Sequence, residues 1–192
     1  MRKLIFSLII LLMSTSVFSQ NTKTALIIID IQEFYFPGGK SELTDPELAA
    51  QNAQKLLQSF REKNMFVIHV KHNFEPGGNI HQLVKPLPSE KVIVKDEVNC
   101  FKNTDLEQYL RENKITDLVL CGMQTHMCLE GGTRAGSDLG FTCTVIDDAC
   151  ATRNLKFGDK IIKAHDVHYA TLSTLQSYAK VMDTNTFLKT FK

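Results

Sequence analysis

Three residues of different chemistry each stand at or just past the end of an apolar run. Asp30 closes TALIIID at 24–30, Lys95 closes KVIVK at 91–95, and Cys128 follows LVLC at 118–121 after one short turn. Runs of this kind make strands buried on both faces of a parallel sheet. Such sheets put their sites beyond the carboxyl ends of the strands. A carboxylate, an ammonium and a thiol at one sheet edge are the parts of an activated nucleophile. Gly122 ends the third run and a helical pattern follows from about 126 to 139, so Cys128 falls in a first helical turn. The free N–H groups and dipole there favour an anion. A thiol of ordinary pKa near ~8.5 is therefore expected to shift toward thiolate. Each residue also has a plain reading. Cys128 suits a buried core position, Asp30 a loop or cap carboxylate, and Lys95 an exposed strand end.

The elements needed to position them are legible around these runs. Asp45-Pro46 is an N-cap followed by a proline at the first helical position. It opens a helix to about 63, with Leu48, Ala49, Ala53, Leu56, Leu57 and Phe60 on one face. A strand is expected at 65–70, then a long connection over 71–90 that holds His72 and His81. A helix follows at 104–113 and strands at 117–121 and 142–146. A polar loop at 147–158, a helix at 161–178 and a short strand at 180–182 complete the chain. Strands alternating with helices predict an α/β fold with a mostly parallel central sheet and helices on both faces.

The composition suits one domain. Of 192 residues 43% are hydrophobic, and 22 basic against 21 acidic residues leave a net charge of +1. No basic field invites nucleic acid. Residues 1–19 differ in kind. Arg2-Lys3, an apolar run and Val17-Phe18-Ser19 read as a secretory signal peptide, giving a mature domain at 20–192, a secreted or periplasmic location and no membrane attachment after cleavage. Export implies oxidising surroundings, yet the five cysteines show neither a disulfide framework nor a CxxC pair.

The residues around the three runs resemble the isochorismatase-like cysteine hydrolase superfamily, with its nicotinamidase and N-carbamoyl amidohydrolase relatives. The resemblance covers nearly all of the mature chain. It is carried by Asp30-Ile31-Gln32 with Tyr35-Phe36-Pro37-Gly38-Gly39, by Lys95 with Cys100-Phe101 and Thr104-Asp105-Leu106, and by Gly122-Met123-Gln124-Thr125-His126-Met127-Cys128. Thr133-Arg134-Ala135, Asp138-Leu139-Gly140 and Asp148-Ala149 follow in order. It implies an α/β fold of the Rossmann-like three-layer sandwich kind, a catalytic Asp30, Lys95, Cys128 triad, a cis peptide between Met123 and Gln124, and an oxyanion hole from the backbone N–H groups of Gln124 and Cys128. It also implies substrate contacts from Gln32, Tyr35, Phe36, Phe101 and Thr125, no cofactor, and a homo-oligomer. The Asp-x-His pattern of the metal-binding nicotinamidases is missing between His69 and Phe74, so no metal is expected, and His72 and His81 are left as loop or substrate residues.

The expected function is cleavage of a C–N bond in a small amide or carbamoyl substrate through a Cys128 thioester. A non-catalytic small-molecule-binding domain of the same fold is the alternative, and a thiol-redox protein a third. The exported protein is expected to begin at Gln20, which intact-mass measurement of the mature chain checks; full-length protein in its host's cytoplasm would refute export.

Overall fold

The computed structural model describes residues 23–191; the expected signal peptide at 1–19 lies outside them. The chain runs β1 (Thr24–Ile29), α1 (Pro46–Glu62), β2 (Phe66–His72), β3 (Lys91–Lys95), α2 (Leu106–Glu112), β4 (Asp117–Met123), α3 (Glu130–Asp138) and β5 (Thr142–Ala151). It continues with β6 (Leu155–Phe157), β7 (Lys160–Ile162), α4 (Ala164–Leu175), β8 (Ala179–Met182) and α5 (Thr184–Thr190). Six strands form one sheet in the order β3-β2-β1-β4-β5-β8, and every neighbouring pair is parallel. The chain thus winds outward from β1 to β3 and returns to lay β4 on the other side of β1. The strand order switches between β1 and β4, where a site is expected. α1 packs with α5, and α3 with α4, giving a helical layer on each face. Among the described residues no helix is long and apolar enough to cross a membrane.

β1 is apolar from Ala25 onward because both its faces are covered; Ala25 to Ile29 are all fully buried. α1 lays Ala49, Ala53, Leu56, Leu57 and Phe60 on the sheet. Burying each of the three large side chains contributes roughly 1.5–3 kcal/mol. Leu48, expected on that face, points outward and is 60% exposed.

Several boundaries differ from the sequence expectation, each for a local reason. Pro46 does open α1, but Asp45 adopts a left-handed conformation and its side chain makes no capping bond. β5 runs on to Ala151, into the expected polar loop. Its Asp148 is held in place by structure: the side chain accepts from the N–H and hydroxyl of Thr184 (2.8 and 2.6 Å), and the carbonyl accepts from Asn52 (2.8 Å). The expected helix at 161–178 starts only at Ala164, because Lys160–Ile162 pairs with Leu155–Phe157 as a hairpin. α5 was not anticipated. Asp183 caps it by accepting from the Thr186 N–H (2.9 Å).

Gly122 is where β4 bends past β1. Its φ is +130°, and a Cβ there would lie 1.9 Å from the Ile29 carbonyl oxygen. Both the conformation and the space require glycine. Gly122→Ala is expected to destabilise the fold by more than about 3 kcal/mol, in the range of large backbone and overpacking effects. A shift in the denaturant midpoint measures it, and an unchanged midpoint would contradict the close approach.

Candidate active site

Three strand ends and one turn build the site. β1 stops at Ile29, and Asp30 takes a left-handed φ of 51° while its N–H bonds the Val70 carbonyl (2.9 Å). Aspartate tolerates this conformation better than most residues. Lys95 ends β3, and parallel register makes His72, the last residue of β2, its direct neighbour. The Lys95 Nζ lies 2.7 Å from Asp30 Oδ2, 3.1 Å from His72 Nδ1 and 3.3 Å from Cys128 Sγ. Asp30 and Lys95 are buried and Cys128 is 5% exposed. Both Asp30 carboxylate oxygens are buried and neither makes a well-directed hydrogen bond among the described residues; Oδ2 meets Lys95 as an ion pair.

Cys128 is presented by a wide, π-type turn, Thr125–Leu129, and regular helix begins only at Glu130. This corrects the expectation of one helix through 126–139. The peptide between Met123 and Gln124 is cis. The Gln124 carbonyl closes the turn by accepting from the N–H groups of Met127 (3.0 Å) and Leu129 (3.3 Å). Two histidines tie it to its surroundings, one from α4 and one from the turn itself. His168 on α4 bonds the Thr125 hydroxyl (2.9 Å), and His126 bonds the Thr152 hydroxyl after β5 (2.6 Å). Burial holds both imidazoles below their ordinary range, so they stay neutral. A cavity of about 260 Å³ adjoins the turn through Thr152 and His168.

The electrostatics invert the expectation for the thiol. Burial first, and then the charge of Asp30, push the Cys128 thiol up to about 12; Lys95 opposes them without prevailing. The dipole of a regular first turn cannot act as supposed, since the turn is wide and the sulfur is out of water. Burial also pushes the Asp30 carboxyl upward against the pull of Lys95. Burial draws the Lys95 ammonium down, but Asp30 and Cys128 outweigh it and its net shift is upward. The resting thiol is thus protonated, beside the buried Asp30–Lys95 pair.

The remaining residues singled out from the sequence take other positions. Gln32 spends its amide on backbone: it accepts from the His72 N–H (2.7 Å) and donates to the carbonyls of His72 (2.9 Å) and Gly78 (2.7 Å). Thr125 is fully buried, with its hydroxyl on His168. Phe36 stacks flat on His81, ring centroids 3.7 Å apart. Phe101 packs on Phe141, 6.1 Å between centroids, and beside Gly136, near Leu118 and Cys143 at the amino ends of β4 and β5. It points away from the triad because its neighbour Cys100 takes the inward position against Gly132. Tyr35 does border the site: its hydroxyl accepts from Gln124 Nε2 (3.3 Å). Burial raises its phenol, and Asp30 and Cys128 add to the shift.

His72 is the site residue that sequence reasoning left in a loop. The sign of its place was the strand end itself, two residues beyond the expected end of β2. Asp30, His72 and Cys128 carry potential ligand atoms within 4.8 Å of one another, but Lys95 Nζ contacts all three, so the cation among them is the ammonium. His81 is not in this group. Its Nδ1 accepts from the Leu83 N–H (3.4 Å), which anchors the loop.

A Rossmann-like α/β sheet with a carboxylate, an ammonium and a thiol gathered at its switch point defines a hydrolytic domain. The isochorismatase domain model matches residues 24–186, and the chain belongs to the isochorismatase family of hydrolases. It is 48% identical to the isochorismatase family protein YddQ of Bacillus subtilis over 86% of this chain and 99% of that one. The crystal structure of an isochorismatase from Pseudomonas putida superposes with a TM-score of 0.81 at 34% identity, covering 85% of this chain and 89% of that one. The ureidoacrylate amidohydrolase RutB of Acinetobacter baylyi is 25% identical over 88% of this chain and 84% of its own.

With the thiol at about 12, the ultraviolet thiolate signal lost in Cys128→Ala is expected to show no titration step near neutral pH. A step below neutrality would mean a preformed thiolate–lysine pair.

Proposed function

We propose that the protein hydrolyses a C–N bond of a small amide or carbamoyl compound through a thioester on Cys128. The observation that carries this is the buried, unpartnered Asp30 Oδ1 beside a protonated thiol, with one ammonium touching both Asp30 and Cys128. An unsatisfied buried carboxylate oxygen is costly, and its retention points to a proton acceptor in use. RutB, an amidohydrolase by name, supports the bond type.

The chemistry follows from these groups. Asp30 takes the Cys128 proton as the sulfur attacks the carbonyl carbon. The carbonyl oxygen becomes an oxyanion, held by the backbone N–H groups of Gln124 and Cys128. The C–N bond breaks, Asp30 returns the proton to the departing amine or ammonia, and a thioester remains. Water then attacks the thioester and gives its proton to Asp30. The acid departs, and the proton returns to sulfur. Lys95 faces the negative charge on Asp30, and that on sulfur as its proton leaves. Tyr35, anchored by Gln124, bounds the space beside the thiol.

A panel of small amides and N-carbamoyl compounds scored for ammonia or amine release identifies the substrate. With it, Cys128→Ala is expected to abolish turnover and Asp30→Asn to lower kcat by about 10²–10⁴-fold, as for loss of a general base. Acid quenching during turnover should leave an acyl group on the peptide containing Cys128. Full activity in Cys128→Ala, or an adduct on Cys100, would overturn the assignment.

A further inference from the structure

We propose that His72 is a positioning residue of this site: its Nδ1 takes the third proton of the Lys95 ammonium, and Gln32 grips His72 so that it does so. The proposal rests on the reading of Asp30, Lys95 and Cys128 as the reacting unit.

An ammonium has three N–H donors and no lone pair. Lys95 is 1% exposed, so the protein must supply its acceptors. Three lie within its reach: Asp30 Oδ2 as an ion-pair partner at 2.7 Å, and Cys128 Sγ at 3.3 Å and His72 Nδ1 at 3.1 Å in hydrogen bonds. Because lysine can only donate, Nδ1 must be the bare nitrogen, and the imidazole proton sits on Nε2. Paired positions on parallel strands project to the same face, and the register pairs His72 with Lys95. The contact is therefore fixed by the sheet. Just beyond, the Asn73 N–H bonds the Lys95 carbonyl (2.8 Å), which keeps the two strand ends together.

Gln32 completes the device. β1 has ended, yet the fully buried Gln32 amide bonds both the N–H and the carbonyl of His72. A side chain stands in for the strand neighbour that β1 no longer provides. The Asp-x-Gln motif thus has two roles. Asp30 faces the thiol, and Gln32, two residues on, grips the histidine that steers the lysine. With one N–H committed to His72, the tetrahedral ammonium aims the other two at Asp30 and Cys128. Without that acceptor a buried donor is left unpaired, which disfavours the charged lysine and loosens its aim.

The test reads thiol reactivity, which needs no substrate. The purified protein is treated with iodoacetamide at a fixed, mildly alkaline pH, and alkylation of the Cys128 peptide is followed by mass spectrometry. His72→Leu is expected to slow it about tenfold, the effect of one lost charged hydrogen bond on thiolate supply. His72→Asn, whose Oδ1 falls near the place of Nδ1, is expected to restore most of the rate. His72→Gln, which moves the acceptor away but keeps a polar side chain, should resemble His72→Leu and answers the question if the leucine variant fails to fold. In a Lys95→Met background His72→Leu should add no further loss, because it acts through the lysine. A wild-type rate in His72→Leu and His72→Gln, an asparagine variant as slow as the leucine one, or an undiminished loss without Lys95 would each overturn the proposal. The two readings fail separately. Hydrolysis surviving in Cys128→Ala would remove the nucleophile but leave the His72–Lys95–Cys128 coupling, whereas unchanged alkylation would remove the coupling and leave the nucleophile.

Discussion

One ammonium group held out of water governs the carboxyl edge of this sheet. Asp30 and Lys95 have no exposed side-chain surface. Taking two such ions out of water costs several kcal/mol each, and a well-packed apolar pair in their place is often as stable or more so. Removing one partner alone is far worse, about 3–5 kcal/mol, because the other charge is stranded. The pair is therefore poorly explained as a stabilising feature. The apolar sheet makes it tolerable: β1 is buried from Ala25 to Ile29, and β2 and β4 flank it, so stability comes from packing and the strand ends are free to hold charge.

The fold was legible because parallel strands buried on both faces leave unbroken apolar runs, and Asp30, Lys95 and Cys128 stood out as the polar residues that end or follow them. What was not legible depended on partners distant in sequence. His72 looked like one of two histidines in a long connection, and only strand register sets it against Lys95, 23 residues away. Gln32 looked like a ligand group, and its partner is backbone 40 residues on. Asp147 and Asp148 looked like loop residues. Asn52 and Thr184, which hold Asp148 inside β5, lie far away in the chain. Phe101 was an aromatic residue near a motif, and nothing local told which way it faced.

The thiol teaches a different lesson. Sequence position placed Cys128 at a helix start, where an anion is favoured. Burial and a neighbouring carboxylate act in the opposite direction, and a wide turn does not focus the dipole as a regular first turn does. The expectation was sound for a regular, solvated first turn. It failed because the turn is π-type and the sulfur is covered, and neither fact can be read from spacing.

The upward shifts of Asp30 and Cys128 then belong together. The same burial disfavours charge on carboxylate and on sulfur alike. A proton moving from the thiol to Asp30 carries negative charge from one acceptor of Lys95 to another, 2.7 Å and 3.3 Å from the same nitrogen. The ammonium keeps a negative partner before and after the transfer, and little needs to reorient. A carboxylate in water would be far too weak a base for a thiol. Raised by burial, and sharing one cation with the sulfur, it is a stronger base than a carboxylate in water, and no histidine serves as base. This is why the lysine, though not the group that accepts the proton, is the residue on which the geometry of the site converges.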